Sequence, residues 1–480
     1  MFAGDLLAER ARITPDRVAL VSVETGERLT YAQLNDRAND AAAMLLDAGL
    51  ESGDRVGLLA QNSIDFIALF FGALKTGVIV VPLSTRATAH ELSIIAADCG
   101  MKILFHDGSA PAVNGVTLTK MDIVPSTRTI AHRIPDPEST ACLLYTSGTT
   151  GKPKGVMIPH RQLLANGYNT AINWGLREDD VAPIFTPLYH AGGVAVFLIP
   201  LFLMGGTIVL HRGFDAAEVW EMIERERCTI VLGVPTIWKM LRDAPQFATA
   251  DLSRVRWFIS GGAPLPAFLI DAYQQRGVTL KQGYGLTEVG VNCFTMTIED
   301  ARNRPGSIGR PMMFTEVRLV DETANDVPIG ETGEMWIRGP HVSSGYWNNP
   351  QATAEAYTDG WFRTGDLARR DADGYFFIAG RRKEMFISGG VNVYPAEVEA
   401  ELLQHPNVSD AAVIAVADET WGEVGVAFVV THGIADVDLV EFLNARLSRY
   451  KVPRRFIFVD ALPRTPYGKV VKEELRKQLA

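Results

Sequence analysis

Cysteine is scarce. The 480 residues hold four, Cys99, Cys142, Cys228 and Cys293, far apart and with no CxxC pair. Such spacing argues against a disulfide framework or a zinc site and predicts buried packing residues in a reducing cytoplasm. Basic charge is also in short supply: 46 Lys and Arg face 56 Asp and Glu, a formal net charge of −10. This balance disfavours a nucleic-acid binder, which carries a basic face to displace counterions. A secretory signal is missing as well, since the opening "MFAGDLLAERARITPDR" is too charged. Residues 191–210, "AGGVAVFLIPLFLMGGTIVL", carry no charge and approach the length of a membrane span. Pro200 and Gly205-Gly206 divide them, so a buried helix, a turn and a strand are expected rather than a span.

What is present is a chain long and apolar enough, at 47% hydrophobic, for more than one core. In the first hundred residues strand signals ("RVALVS", "DRVGLLA", "VIVVPL") alternate with helix signals. One helix opens on a Thr30/Gln33 capping box and ends at Gly49; the next is capped near Asn62 and closed by Gly77. Alternation of this kind implies parallel pairing in a layered sheet, and it resumes from Gln162 to about Gln282. After Arg302 the texture turns to short β-rich runs ("TEVRLVDE", "GEMWIRGP", "GYFFIAG"), and from Met385 to a smaller α+β unit. The fold class read from this is a large α/β N-terminal domain with layered sheets and a β-subdomain, 1–382, followed by a small α+β C-terminal domain, 383–480, with the border at "GRRKE".

The stretch "YTSGTTGKPKG", Tyr145 to Gly155, follows an apolar strand and offers hydroxyls and backbone N–H groups to phosphate. It is not a Walker loop, because only two residues separate Gly148 and Gly151 and Pro153 follows Lys152. Further on, "QGYGLTE" brings an aromatic face at Tyr284, a hydroxyl at Thr287 and a carboxylate at Glu288, the types that stack on adenine and hold Mg²⁺ beside phosphates. "WFRTGDL" supplies Asp366, "GRRKE" supplies Arg381 and Lys383, and "PRTPYGKV" supplies Lys469.

Together, in this order and spacing, these five motifs resemble the adenylate-forming superfamily of acyl-CoA synthetases, nonribosomal-peptide adenylation domains and luciferases, over essentially the whole chain. Within it the chain looks most like bacterial fatty-acyl-CoA and feruloyl-CoA synthetases. The resemblance implies activation of a carboxylate by ATP to acyl-AMP and pyrophosphate, then displacement of AMP by a thiol, with Mg²⁺ as cofactor and ATP and CoA as co-substrates. Thr146, Ser147, Gly148, Thr149, Thr150, Gly151 and Lys154 would hold the leaving phosphates. Tyr284, framed by Gly283 and Gly285, would stack on adenine, with Gly262, Ala263 and Pro264 on its other side. Asp366, Ile378 and Arg381 would complete the nucleotide site. Thr287 would contact the α-phosphate, and Glu288 with Thr146 would bind Mg²⁺. Lys469 would bridge carboxylate and α-phosphate, Lys383 would be the hinge on which the small domain rotates between steps, and Ser388, Gly389 and Gly390 would face CoA.

The same resemblance puts His190 of "PLYHAGG" at the mouth of an acyl pocket and implies a lining of Gly192, Gly193, Val194, Thr236, Val289, Gly290 and Val291. No arginine or lysine falls among these to pair with a second carboxylate, and no aspartate to meet an α-ammonium. The expected substrate is therefore a medium- or long-chain fatty acid, with an aryl acid of the hydroxycinnamate type as the alternative. A separate carrier protein as acceptor, or a nucleotide sensor without catalysis, are the competing functions. A cytoplasmic location is expected, "RKQLA" being no peroxisomal address, and a homodimer is left open.

Overall fold

The computed structural model describes residues 5–479 apart from 109, 132, 148–152, 389–390, 419, 432, 434–435 and 466–467. Its first layer is a six-stranded sheet in the order Thr117–Lys120, Ile103–His106, Arg55–Leu59, Ile79–Leu83, Thr140–Ser147, Pro153–Pro159. All neighbours pair in parallel except the last two, which form an antiparallel hairpin. A second layer joins Arg28–Thr30, Val18–Ser22, Thr207–Leu210 and Val181–Ile184, and a third joins the parallel strands Ile230–Gly233, Trp257–Ser260 and Leu280–Gln282. Val181 and Thr229 link these two sheets edge to edge. Helices between the layers bury one continuous apolar cluster, which includes Phe66, Phe70, Phe71, Phe197 and Phe202.

The local signals act as their chemistry requires. Thr30 and Gln33 form the reciprocal capping box, and Gly77 ends the next helix at φ 78°. That helix starts one residue later than the sequence implies: Ser63 is the cap, accepting from Phe66 N, and Asn62 is buried instead, donating to the carbonyls of Thr186 and His211. The charge-free run 191–210 folds as a short helix Ala191–Gly193, a π-helical stretch Val194–Leu198, a helix Ile199–Met204, a turn at Gly205 and the strand Thr207–Leu210. No helix among the described residues is long and apolar enough to cross a membrane. All four cysteines are buried and unpaired.

An antiparallel sheet of Glu316–Val320, Thr332–Arg338, Tyr357–Thr358, Trp361–Arg370 and Phe376–Arg381 closes the large domain. Beyond it a smaller domain builds its own sheet from Phe386–Ser388, Val391–Val393, Val408–Asp418, Gly422–Thr431 and Arg455–Phe458, flanked by the helices Pro395–Leu402 and Asp436–Asn444. Its core, with Phe386, Val398, Leu402, Val413, Leu439 and Phe456, is separate from those of the large domain.

Candidate active site

The strands Trp257–Ser260 and Leu280–Gln282 run in parallel, and their carboxyl ends release the loops "GGAPL" and "GYGLTE" side by side. Such ends are where open parallel sheets bind ligands. Gly283 N donates to Ser260 O (2.7 Å) and Leu265 N to Gln282 Oε1 (3.1 Å), locking the two loops together. Gly262 takes φ +80°, the left-handed region that glycine tolerates, and Ala263 and Pro264 after it are exposed. Gly285 lies so close to Val291 that a Cβ there would meet its carbonyl oxygen at 2.3 Å.

Three sequence-distant residues converge beyond these loops. Tyr284 Oη donates to Asp366 Oδ2 (2.5 Å), and Arg381 Nε pairs with Asp366 Oδ1 (2.6 Å). Asp366 and Arg381 face each other across adjacent strands, which carry the arginine to the carboxylate. Asp366 is only 3% exposed, and burial pushes its carboxyl above the ordinary range against the pull of Arg381, Tyr284 and Lys469. Tyr284 also meets Phe294 edge-on at 5.6 Å, so its ring plane is set from both ends. Ile378 packs in the same cluster as Tyr284.

Lys469 arrives from the small domain. Its amine is pushed below the usual lysine range by burial and by Arg381, with Glu384 and Asp366 pulling the other way. Its loop is a tight turn in which Lys469 N donates to Thr465 Oγ1 and Gly468 takes φ +79°. A Cβ on Gly468 would sit 2.8 Å from Thr236 Oγ1, so the loop touches the large domain there.

Glu288 follows Thr287 on a short 3₁₀ turn, Thr287–Val289. Burial pushes its carboxyl upward, and Tyr346 Oη donates to it at 3.0 Å. Lys154 Nζ in turn lies 5.2 Å from the Tyr346 ring centroid, and Thr146 stands opposite Lys154 in the hairpin. A partly buried carboxylate near a hydroxyl-bearing strand suits Mg²⁺, which takes one or two carboxylates and completes its octahedron with phosphate oxygens and water. Among the described residues no group of three or more metal-ligating side chains exists, so phosphate would have to supply much of the coordination. Tyr346, the residue that orients Glu288, is absent from the sequence reading. Its motif "SSGYWNN" carries aromatic residues in a loop but no charge to mark them.

The phosphate loop differs from the strand–loop expectation in one respect. The strand continues to Ser147, which pairs antiparallel with Pro153, so strands flank the loop on both sides. Its residues Gly148, Thr149, Thr150 and Gly151 lie outside the described residues, as do Gly389 and Gly390 beside Ser388, which is itself buried.

A narrow apolar cavity adjoins Thr287. Val194, Gly290 and Val291 line it, with Ala191, Ala195, Phe70, Leu144 and Ile158. The rest of the expected lining lies elsewhere. Gly193 is pressed against the Pro187 carbonyl, where a Cβ would sit at 2.3 Å; Val289 is fully buried in the neighbouring core; Thr236 faces Gly468. His190 and Gly192 are also outside the lining, and burial holds the His190 imidazole neutral by lowering it to about 4. Two polar residues that the sequence did not single out do line the cavity: Gln162, which donates to Thr287 O at 2.9 Å, and Asn166, which donates to Ala195 O at 2.7 Å. Both project from one face of the helix His160–Asn173.

Between the domains, Lys383 is exposed in a turn whose neighbours are tied in opposite directions. Arg382 pairs with Glu334 of the large domain (3.0 Å), whereas Glu384 pairs with Lys472 (2.8 Å), which also holds Glu399 (2.7 Å).

Known proteins share this architecture. A family model described as AMP-binding enzyme matches residues 7–347, and one described as AMP-binding enzyme C-terminal domain matches residues 397–469. The chain is 40% identical over 485 residues to a feruloyl-CoA synthase of Amycolatopsis sp, covering 99% of this chain and 98% of that protein. It is 38% identical over 495 residues to the long-chain-fatty-acid–CoA ligase FadD13 of Mycobacterium tuberculosis, covering 99% and 98%. The solved structure of ATP-bound MatB from Rhodopseudomonas palustris aligns with a TM-score of 0.92 at 31% identity, covering 100% of this chain and 99% of that one.

Proposed function

The chain belongs to the AMP-binding enzyme family, among the acyl- and aryl-CoA ligases of the adenylate-forming superfamily, and from that premise we propose that it joins an acid with an apolar body to CoA at the Tyr284–Asp366–Arg381–Lys469 cluster. A carboxylate oxygen of the acid attacks the α-phosphorus of ATP and pyrophosphate leaves; the CoA sulfur then attacks the acyl carbonyl and AMP leaves. The observation that carries this reading is the convergence of Asp366, Arg381 and Tyr284 from the large domain with Lys469 from the small one.

Asp366, held by Tyr284 and Arg381, presents its remaining lone pairs to the ribose hydroxyls, and the fixed Tyr284 ring gives adenine a stacking face. The Lys469 ammonium lies between the incoming carboxylate and the α-phosphate, where negative charge gathers in the transition state, so it stabilises that state more than the ground state. Glu288, oriented by Tyr346, and Thr146 would hold Mg²⁺, which when bound offsets phosphate charge. The domains divide at 382/383. The tied neighbours of Lys383 leave that turn to absorb the dihedral change when the small domain swings to bring Ser388 to the site. The cavity between Val194 and Val291 takes the acyl body, with a fatty chain favoured by its mostly aliphatic walls.

The test is AMP and pyrophosphate release from ATP and Mg²⁺ with a panel of fatty, dicarboxylic, aryl and amino acids, each with and without CoA. AMP and an acyl-CoA from an apolar acid support the reading. Acid-dependent pyrophosphate without a thioester would transfer the acceptor role to a carrier protein.

A further inference from the structure

Behind the acyl cavity lies a larger cleft of about 640 Å³, bordered among others by Trp174, Arg256, Trp257, Lys281, Thr295 and Arg310. The two spaces are bordered by the same two segments. The helix His160–Asn173 lines the first with Gln162, Leu163 and Asn166, and its end lines the second with Ile172, Asn173 and the following Trp174. At 1.5 Å per residue, Asn166 and Trp174 are about 12 Å apart along the axis. The opposite wall follows the same course: Lys281 and Thr295 border the cleft, while Thr287, Gly290 and Val291, between them in sequence, border the acyl cavity.

An aromatic partition separates the two. Phe197 lies 6.3 Å from Trp174 and 6.2 Å from Trp257, and the two indoles meet edge-on at 5.7 Å. Phe197 sits on the π-helical stretch whose Val194 and Ala195 line the acyl cavity, so one irregular turn borders both the cavity and the partition. Such π-bulges concentrate at functional positions.

Lys281 is the unusual group. It is 4% exposed, its Nζ stands 4.1 Å from the Trp257 ring centroid, and among the described residues neither a hydrogen bond nor a carboxylate reaches it. A buried ammonium without an anion is costly, and burial with the nearby Arg256 charge brings it down to about 7. Most other charges on the cleft are committed. Arg256 is held by both oxygens of Asp180, Arg310 donates to Asp373 O and lies over Tyr375, and Asp300 accepts from Thr297 and Arg304. Arg177 stays exposed at the rim, beside the apolar Ile172 and Ile298. The cleft thus offers one buried, uncommitted amine backed by an indole face, which holds a proton once an anion pairs with it.

We propose that this cleft is the far end of the acyl site, and that Lys281 pairs with a second carboxylate at the distal end of the substrate, remote from the one that is activated. The substrate class is then a fatty chain that carries a second carboxylate at its far end, an aliphatic dicarboxylic acid, threaded past Phe197 when that ring turns aside. The inference rests on the CoA-ligase reading and extends it. The expected lining held no cation for a second carboxylate; Lys281 supplies one from a strand that the nucleotide motif ends, three residues before Tyr284.

The experiment compares α,ω-dicarboxylic and monocarboxylic acids of matched medium length as substrates of the wild type, Lys281→Met and Phe197→Ala. Loss of one charge-assisted pair lowers the diacid-to-monoacid ratio of kcat/KM in Lys281→Met by roughly 10- to 100-fold, mainly through the diacid KM. Opening the partition in Phe197→Ala raises the diacid kcat/KM. Tryptophan fluorescence, read while the diacid is titrated without ATP, is a second measure, since Trp257 lies under the Lys281 ammonium. A diacid-dependent change in wild type that Lys281→Met loses, in a protein that turns over no acid, would support the cleft and sink the ligase reading. Turnover with an unchanged diacid-to-monoacid ratio in a folded Lys281→Met overturns this inference and leaves the ligase intact. Should that variant not fold, failure of the diacid to change wild-type tryptophan fluorescence overturns it equally.

Discussion

The nucleotide end and the acyl end of this site are built on opposite principles. At the nucleotide end, charged and hydroxyl groups from several strands bind one another: Asp366 holds Tyr284 and Arg381, Tyr346 holds Glu288, and Lys469 closes over them. At the acyl end, helix faces and a π-helical stretch bury aliphatic and aromatic walls with few polar atoms. The first end depends on charge placed to within hydrogen-bond distance, the second, as far as the Phe197 cluster, on volume. Substitutions should therefore separate cleanly into those that change chemistry and those that change selection.

The largest separation is expected at Lys469. Lys469→Ala should slow acyl-AMP formation by roughly 100- to 1,000-fold, as loss of a transition-state charge partner does, and leave thioester formation from supplied acyl-AMP nearly intact. Half-reaction kinetics decide it, and equal loss in both steps would erase the distinction. Next comes Lys383→Pro, which fixes φ at the turn between the tied pairs. It should spare adenylation and depress thioester formation on the order of 100-fold, a closed rotation costing a few kcal/mol of barrier. A variant normal in both steps removes Lys383 from the hinge.

At the acyl end, Val291→Phe fills the narrow cavity. Its expected effect is roughly a tenfold rise in KM for the acid, in line with 1–3 kcal/mol of overpacking, with KM for ATP unmoved. A parallel rise for ATP would show that the two ends are not independent. The smallest effect concerns acid. His160 and His190, neither of which lines the acyl cavity, are both lowered to about 4, by burial first and for His160 by Arg133 also. The unfolded chain binds their protons at an ordinary value of 6.5, so the stability they contribute is present above that value and lost as pH falls from 6.5 toward 4. Asp366 has the opposite sign: its raised carboxyl favours the fold below the ordinary carboxylate range and loses that favour as pH rises through its folded value. Thermal unfolding should fall by a few degrees between pH 7 and pH 4.5, and His160→Gln should flatten the slope.

These same principles explain what could be read in advance. Tyr284, Thr287 and Glu288 were legible because one loop carries them, and Asp366 and Arg381 because each lies in a motif that matches the family order. The caps at Thr30 and Gly77 follow from local chemistry, whereas Asn62 lost the cap to Ser63 because long-range carbonyls at Thr186 and His211 claimed its amide. The acyl walls resisted reading. Gln162 and Asn166 sit one turn apart on a helix remote in sequence from Val291, and nothing local marks which face of a helix meets a cavity. Lys281 hid for another reason: in a strand, neighbouring residues point to opposite faces, so Leu280 enters one core while Lys281 turns toward Trp257.

Gly468 has a bearing on how this chain can diverge. Two unrelated demands meet at that position, a left-handed backbone and a neighbour, the Thr236 hydroxyl, where a side chain would begin. Relief of either alone leaves the other in force. A smaller residue at 236 would free space and still leave any replacement at 468 strained by its own backbone, while a relaxed turn would displace Lys469 from the cluster it completes. Position 468 is thus closed to single-step drift, and lineages that keep the reaction are expected to keep the glycine while the acyl walls around Val194 and Val291 vary.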